Sequence, residues 1–339
     1  MPKNRHQIRA EAIGAFPNEV IFTATGSEAN AMALQGFPTR RILVSAIEHS
    51  SVLRHPREGG DLKHHGIIPE IPHQVRDDKN TIIPVDANGI VSLSSLEEML
   101  AGGVPSLVSV MLANNETGVI QPIRAIADIC KKHGALLHCD AVQALGKIPV
   151  EFTTLGADLM TIFGHKMGGP VGAAALVLRQ DLAIVPLFIG GGQELGRRAG
   201  TENIAAIAGF AKAVELIDLA QMQVIRGWLD DFEEKIINAG GIVFGNPVPR
   251  LPNTSCIAMP SVSNEVQLMD FDLKGFAVSA GSACSSGRIE PSPVLAAMNV
   301  DKSVAGCAIR VSTGWNSQKS ELDALLNAWQ MLQKRLEAA

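Results

Sequence analysis

Tyrosine is missing from the sequence, and several further absences exclude whole classes of protein. Without tyrosine, no ligand can stack on a tyrosine ring anywhere in the chain. No apolar run reaches the length of a membrane span, and the amino-terminal M-P-K-N-R-H-Q lacks the apolar core of a signal peptide. A net charge of −5 without any basic run argues against a nucleic-acid surface. We therefore expect neither a membrane nor a nucleic acid as a partner.

Paired cysteine spacing and metal-ligand spacing are missing as well. The five cysteines are dispersed, and such an odd set indicates reduced thiols in a cytoplasmic protein. No cysteine or carboxylate spacing supports His64, His65 and His73 as ligands, so no metal site is predicted. Four cysteines fall in predicted helices or strands and are expected in the core: Cys130, Cys139, Cys256 and Cys307.

The glycine-rich segment Gly190–Thr201 lacks both common nucleotide fingerprints. In the dinucleotide motif that starts at Gly190 and Gly192, the third glycine position holds Leu195. No Lys-Ser/Thr ending of a P-loop follows. The segment is interpreted as a mobile loop without a nucleotide.

What the sequence does contain is typical of a globular α/β protein. Its 339 residues are 46% hydrophobic with 32 glycines, enough for one large domain and a smaller one. Strand and helix patterns alternate up to Phe163, which predicts parallel strands joined by helical crossovers. A long helical region, Glu202 to about Asn238, is followed by shorter strands and a terminal helix. We place the domain change near residues 215–225, between a large domain of residues 1–220 and a small domain of residues 221–339.

Residues His55–Lys79 interrupt the alternation. They contain short apolar runs, three prolines and charges of both signs, and they show neither helical nor strand periodicity. They are interpreted as an inserted surface loop, which resembles the translated palindromic repeats found inside some bacterial reading frames. Because the entropic cost of closing a loop grows slowly with its length, joining Arg54 to Asn80 is expected to leave the melting temperature nearly unchanged.

Polar residues follow the predicted strands at their carboxyl ends. In open α/β sheets these ends share one edge, where ligands bind. Each residue alone has an ordinary explanation: a βα turn with Gly-Ser, a loop histidine, or a loop lysine beside a tight turn. The set is more specific than its members: Gly26, Ser27, His49, Asn115, Asp140, Gln143, His165 and Lys166.

Pyridoxal phosphate (PLP) requires this combination of groups. Lys166 stands between glycines at a strand end, where its amine can form a Schiff base and partial burial favours loss of its proton. Asp140 can keep the pyridinium protonated, which also pairs a buried carboxylate with a cation. His49 can stack on the ring, and Asn115 and Gln143 can donate to the ring oxygen. The Gly26-Ser27 turn opens a helix and forms an anion site suited to the phosphate.

The sequence resembles the cysteine desulfurases, class V of the fold-type-I PLP enzymes, and favours their long-loop subclass. The resemblance covers nearly the whole chain except His55–Lys79. It rests on E-H-S-S-V-L, N-N-E-T-G-V-I-Q, H-C-D-A-V-Q, G-H-K, G-G-G-Q-E-L-G-R-R-A-G-T-E-N and S-A-G-S-A-C-S-S-G. It implies a large domain with a mostly parallel sheet between helices, a smaller carboxyl-terminal α+β domain, and a homodimer.

The resemblance also implies roles for single residues. His165 and Thr201 contact the phosphate, Thr201 from the other subunit, and Arg310 holds the substrate carboxylate with its bidentate guanidinium. Cys284 matches the nucleophile that takes sulfur from L-cysteine, leaving L-alanine and a persulfide for a sulfur acceptor or an iron–sulfur scaffold protein. Small polar neighbours surround Cys284 in the sequence, whereas a structural cysteine usually packs among large apolar groups.

The sequence departs from the family in three places. Phe163 stands where the family has a phosphate-binding serine, and Thr25-Gly26-Ser27 replaces the usual G-A-T. The chain is also expected to start late, without the leading strand and loop of the family. Two alternatives stay open: a related PLP-dependent lyase or aminotransferase, and a truncated remnant that only folds or pairs with a complete subunit.

Overall fold

The computed structural model describes residues 12–53, 81–281 and 292–337. Its strands are β1 (Val20–Thr23), β2 (Arg41–Ser45), β3 (Ile82–Ile83), β4 (Ser106–Met111), β5 (Leu136–Asp140), β6 (Leu159–Phe163), β7 (Ala174–Leu178), β8 (Ile242–Val243), β9 (Thr254–Ala258), β10 (Ser279–Ala280) and β11 (Ala308–Ser312). Its helices are α1 (Gly26–Gln35), α2 (Ser50–Leu53), α3 (Leu93–Leu100), α4 (Ile123–Lys132), α5 (Phe152–Leu155), α6 (Ile204–Glu215), α7 (Leu219–Asn238), α8 (Asn264–Leu273), α9 (Pro293–Ala297), α10 (Lys302–Ala305) and α11 (Lys319–Glu337). The predicted insertion His55–Lys79 and the predicted nucleophile Cys284 lie outside the described residues.

Within the described residues, seven strands form the larger sheet, in the order β1-β7-β6-β5-β4-β2-β3. The pairs from β6 to β3 are parallel, whereas β7 is antiparallel to both of its neighbours. The predicted mostly parallel sheet is therefore confirmed, and β7 is its antiparallel strand. Residues 164–173, which join β6 to β7, contain no crossover helix, and a parallel return needs a longer connection.

The reversal of β7 leaves the predicted site edge intact. Because β1 and β6 are each antiparallel to β7, they run in the same direction as each other and as β5, β4 and β2. All strands that precede a predicted site residue of the larger sheet therefore end at one edge. These strands are apolar and buried, as strands covered on both faces by helices must be. The helix α4, for example, buries Ile123, Ile126, Ala127 and Cys130.

The four strands β10-β11-β9-β8 form a second, antiparallel sheet. One apolar cluster joins this sheet to α7 and α11 and includes Phe232, Ile309 and Trp329. Cys256 and Ala258 of β9 instead belong to the core of the larger sheet. The division at residues 215–225 therefore stays a prediction.

The predicted helical region Glu202–Asn238 consists of two helices, α6 and α7, with a break at residues 216–218. Asp218 begins α7 as its N-cap, since its side chain accepts a hydrogen bond of 3.0 Å from the backbone N–H of Gln221. The sequence analysis did not predict this break, because the apolar residues Leu216 and Ile217 continue the helical pattern across it.

The described cysteines are free and buried, which confirms the core prediction for Cys130, Cys139, Cys256 and Cys307. Burial raises the pKa of the Cys130 thiol to about 12, so it is not a thiolate at neutral pH. Within the described residues, no group of three or more His, Cys, Asp or Glu could hold a metal ion. No helix there is long and apolar enough to cross a lipid bilayer.

Candidate active site

Asp140, the last residue of β5, is a buried carboxylate with two hydrogen-bond donors. Asn30 Nδ2 donates to its Oδ2 over 2.9 Å, and the backbone N–H of Val142 donates to its Oδ1 over 3.0 Å. Burial raises the pKa of Asp140, and these two bonds and then the charge of His49 oppose the rise. It forms an ion pair with none of the described residues. Its setting fits the pyridinium nitrogen of PLP, which would supply the missing cation.

Asn30 connects Asp140 to the predicted stacking residue. Its Nδ2 also donates to Ser51 Oγ over 2.9 Å, and the backbone N–H of Ser51 donates to His49 Nδ1 over 3.1 Å. Since a backbone N–H can only donate, Nδ1 accepts and the proton of a neutral His49 ring is on Nε2. The helix α1, strand β5 and the turn after β2 thus meet in one polar network.

Lys166 lies in a 3-10 turn, Gly164–Met167, directly after β6. A Cβ on Gly164 would lie 2.9 Å from the Phe210 ring, and Gly168 has a φ of 88°, so both positions require glycine. Lys166 lines a cavity of about 530 Å³ together with Lys147, Asn253, Thr313 and Trp315, among others. Lys166 is exposed rather than partly buried as predicted, because its side chain stands at this open cavity.

A second lysine of the cavity contacts a predicted cofactor ligand. Lys147 Nζ donates to Gln143 Oε1 over 2.8 Å. Burial, and then the charges of Lys166 and Arg310, lower the pKa of Lys147 to about 7. Three cationic side chains therefore gather around one site, which suits a ligand with several negative charges.

Arg310 of β11 connects the second sheet to the site. Its Nη1 donates to the backbone oxygen of Asn115 over 2.9 Å, and its Nη2 donates to Ser279 Oγ over 3.4 Å. Its Nε is buried and has no partner among the described residues. A guanidinium with N–H groups that no described residue accepts suits a carboxylate, which can bind such a fork with two bonds.

The amino terminus of α1 has the form of an anion cradle. Thr25 Oγ1 accepts from the backbone N–H of Glu28 over 3.1 Å, and Glu28 Oε2 accepts from that of Ala24 over 2.9 Å. The backbone N–H groups of Gly26 and Ser27 have no partner within the helix and remain for a ligand. The donor set fits the PLP phosphate.

Phe163 lies at this cradle and not in the core. A Cβ on Gly26 would lie 3.3 Å from Phe163 Cδ1, so the ring covers the helix terminus closely. The Phe163 ring also contacts the His165 ring, with centroids 3.8 Å apart and planes at 65°. His165 Nδ1 is buried and has no partner among the described residues, and burial lowers the pKa of His165.

One predicted residue is not joined to the others within the described part of the chain, and a second lies outside that part. Thr201 is exposed on the glycine-rich loop, and within the described part of the chain no hydrogen bond joins it to another predicted site residue. Cys284 lies among residues 282–291, outside that part. The described residues next to this interval are nevertheless tied to the site: Ser279 contacts Arg310, and Ser292 Oγ donates to Glu116 Oε2 over 2.5 Å, one residue from Asn115.

Sequence reasoning missed three buried or half-buried polar residues: Asn30, Glu48 and Lys147. Glu48 Oε1 accepts from Ser45 Oγ over 2.5 Å and from the backbone N–H of Met111 over 2.7 Å. Burial raises the pKa of Glu48 to about 8, so its carboxyl group is neutral at pH 7. The sequence offered a signal for two of them, because both lie close to predicted site residues: Glu48 directly precedes His49, and Lys147 is four residues after Gln143.

A mostly parallel sheet with these groups at one edge defines a fold-type-I PLP enzyme. The Aminotransferase class-V family description matches residues 1–325. A cysteine desulfurase of Cereibacter sphaeroides is 37% identical over 338 residues, covering 97% of this chain and 83% of that protein. The chain therefore belongs to the class-V aminotransferase family, which uses PLP as cofactor.

Solved structures agree with this assignment. A NifS-like protein of Rickettsia africae has a TM-score of 0.83 at 34% identity, covering 97% of this chain and 87% of that one. The structure of SspA in complex with cysteine has a TM-score of 0.73 at 28% identity, covering 91% of this chain and 85% of that one. The predicted fold class is confirmed, and its sheet topology is that described above.

Proposed function

We propose that this protein is a PLP-dependent cysteine desulfurase that removes sulfur from L-cysteine. The observation that carries the proposal is the joint placement of Asp140, Lys166 and Arg310 around one edge of the larger sheet. The similarity to the desulfurase of Cereibacter sphaeroides supports the reaction. The similarity to SspA, solved with cysteine, supports the substrate.

Each residue has a separate task. Lys166 would hold the cofactor covalently and, once released by substrate, take the proton from the substrate Cα. Asp140, held by Asn30, would accept the pyridinium N–H, and Gly26, Ser27 and His165 would bind the phosphate. PLP, when bound, would supply an electron sink for the electron pair left on the substrate.

The substrate side of the site depends on three further residues. Arg310 would fix the carboxylate of cysteine with two hydrogen bonds, and His49 would cover the ring. The Cys284 thiolate would attack the sulfur of the substrate: a sulfur–sulfur bond forms, the carbon–sulfur bond breaks, and its electron pair stays with the carbon fragment, which leaves as L-alanine after protonation. The persulfide on Cys284 would then pass to a sulfur acceptor, such as an iron–sulfur scaffold protein.

A homodimer is part of the proposal. Three large apolar side chains are exposed near or on the glycine-rich loop, Phe188, Ile189 and Leu195, and Ile189 is 92% exposed. The family resemblance brings Thr201 of this same loop to the phosphate of the other subunit. Such a contact would bury these side chains, and light scattering after gel filtration should give the mass of a dimer. A cytoplasmic location fits the free thiols of the four described cysteines.

The first experiment asks whether PLP binds at Lys166. Purified protein reconstituted with PLP should absorb visible light, and borohydride reduction followed by peptide mapping should locate the cofactor on Lys166. A Lys166→Ala variant is the control and should lose the covalent link. A protein that stays colourless in excess PLP would contradict the proposal and favour the remnant alternative.

The second experiment separates a desulfurase from a related lyase or aminotransferase. Sulfide and alanine release from cysteine is compared between wild type, Cys284→Ala and the control Cys307→Ala, whose cysteine is buried. Only the Cys284 variant should lose persulfide-dependent turnover. An unchanged rate in Cys284→Ala would exclude the persulfide route and favour the alternative enzymes.

A further inference from the structure

Lys147 is a charged side chain that the proposed reaction does not use. It lines the same cavity as Lys166 and is half-buried, yet it forms an ion pair with none of the described residues. Its one hydrogen bond there goes to Gln143 Oε1. A lysine that faces two other cations and no carboxylate among the described residues needs a reason for its position.

The turn between these residues brings Lys147 to the cavity. Gly146 has a φ of 84°, and a Cβ there would lie 2.9 Å from Met167 Cβ, in the turn that carries Lys166. The backbone before Lys147 therefore packs against the Lys166 turn. Lys147 and Gln143 face each other across this turn.

We propose that Lys147 is a positioning residue that fixes the amide orientation of Gln143, so that Gln143 Nε2 donates into the cofactor site. An ammonium group has donors and no acceptor, so the atom it binds on Gln143 must be the oxygen. The amide nitrogen then points elsewhere, and it has no hydrogen bond to the described residues. The inference rests on the proposed function, because the group that accepts from Nε2 would be the ring oxygen of PLP.

Without Lys147, nothing in the described residues distinguishes the two flipped orientations of the Gln143 amide. One orientation presents an oxygen to the oxygen of the cofactor, which is repulsive, and the other presents a donor. Removing Lys147 should therefore weaken PLP binding even though Gln143 is still present. The competing explanation is that the charge of Lys147 attracts the anionic cofactor directly.

A double-mutant cycle distinguishes the two explanations. The dissociation constant of apo-protein for PLP is measured by visible absorbance in wild type, Lys147→Met, Gln143→Ala and the double variant. The measurements are made about one pH unit below the pKa of Lys147, where most of its amines are charged. Loss of one ordinary hydrogen bond corresponds to roughly a three- to tenfold weaker binding in each single variant.

We expect Lys147→Met to have no further effect once Gln143 is alanine, because Lys147 then has no amide to orient. Lys147→Arg, which keeps the donors, should restore most of the affinity. Equal effects of Lys147→Met in both backgrounds, or no effect in either, would overturn the inference. Melting of each apo-variant identifies any that fail to fold, and Lys147→Leu, which also lacks a hydrogen-bond donor, then replaces Lys147→Met.

The result also separates this inference from the proposed function. Wild-type protein that binds no PLP would overturn both. Wild-type protein that binds PLP, combined with additive single effects, would overturn only the positioning role of Lys147.

Discussion

Phe163 offers the sharpest test of the phosphate cradle. Its ring lies between Gly26 at the start of α1 and the His165 ring, where the family has a serine. Phe163→Ser would replace this ring with a hydroxyl that can donate to the phosphate. We predict that the variant binds PLP more tightly than wild type does.

The magnitude follows from the charge of the acceptor. One hydrogen bond to a charged group contributes about 1.5–3 kcal/mol, which corresponds to roughly ten- to a hundredfold in affinity. The same substitution removes a half-buried ring and its contacts with His165, so the apo-protein should lose about 1–2 kcal/mol of stability. Tighter cofactor binding and a lower melting temperature of the apo-protein should therefore appear in one variant.

The assay is a titration of apo-protein with PLP, followed by visible absorbance, beside thermal melting of the apo-protein. Phe163→Ala is the matched control, since it makes the same room without a hydroxyl. If Phe163→Ala tightens binding as much as Phe163→Ser, the ring acts by bulk and not through a missing donor. If both variants leave the affinity unchanged or weaken it, the cradle has been assigned to the wrong residues.

Three other substitutions test neighbouring groups. Because the folded protein raises the pKa of Glu48 from 4.5 to about 8, its stabilising contribution is complete below pH 4.5 and is lost as the pH rises to about 8. Between these two pH values the free energy of unfolding of the wild type should therefore fall, and in Glu48→Gln this fall should be smaller by a few kcal/mol. Urea denaturation at several pH values measures it. An equally steep fall in the variant would contradict the prediction. Arg310→Lys should raise KM for cysteine roughly tenfold or more at unchanged PLP affinity, and an unchanged KM would refute the carboxylate role. Asn30→Ala should weaken PLP binding about tenfold by leaving Asp140 unsupported, which unaltered titration curves would disprove.

Several elements could be predicted to the residue from sequence. The strand Leu159–Phe163, the helix Leu93–Leu100 and the strand Ala308–Ser312 are all apolar patterns that end at an abrupt polar or glycine boundary. The direction of β7 could not be predicted in this way, because alternation identifies a strand but not its orientation. The short link between β6 and β7 was the available signal, since it is too short for a helical crossover.

The site could be predicted in part for a related reason. Asp140 and Lys166 follow strands directly, so their positions are set by the sheet edge alone. Asn30 is within a helix and Lys147 is in a turn, and both look like ordinary solvent-facing residues in the sequence. Only the tertiary arrangement turns Asn30 towards Asp140 and Lys147 towards Gln143.

The position of β1 at the end of the larger sheet has a consequence for the order of folding. Among the described strands, β1 pairs with β7 alone, and Val20 there lies opposite Val177. During synthesis, β2 to β6 therefore leave the ribosome before β7, the described partner of β1, and such non-local pairing is slow. The helix α1 follows β1 directly and brings Gly26 and Asn30 to the site. The phosphate end of the site, although encoded first, is therefore expected to be completed only after β7 has been made.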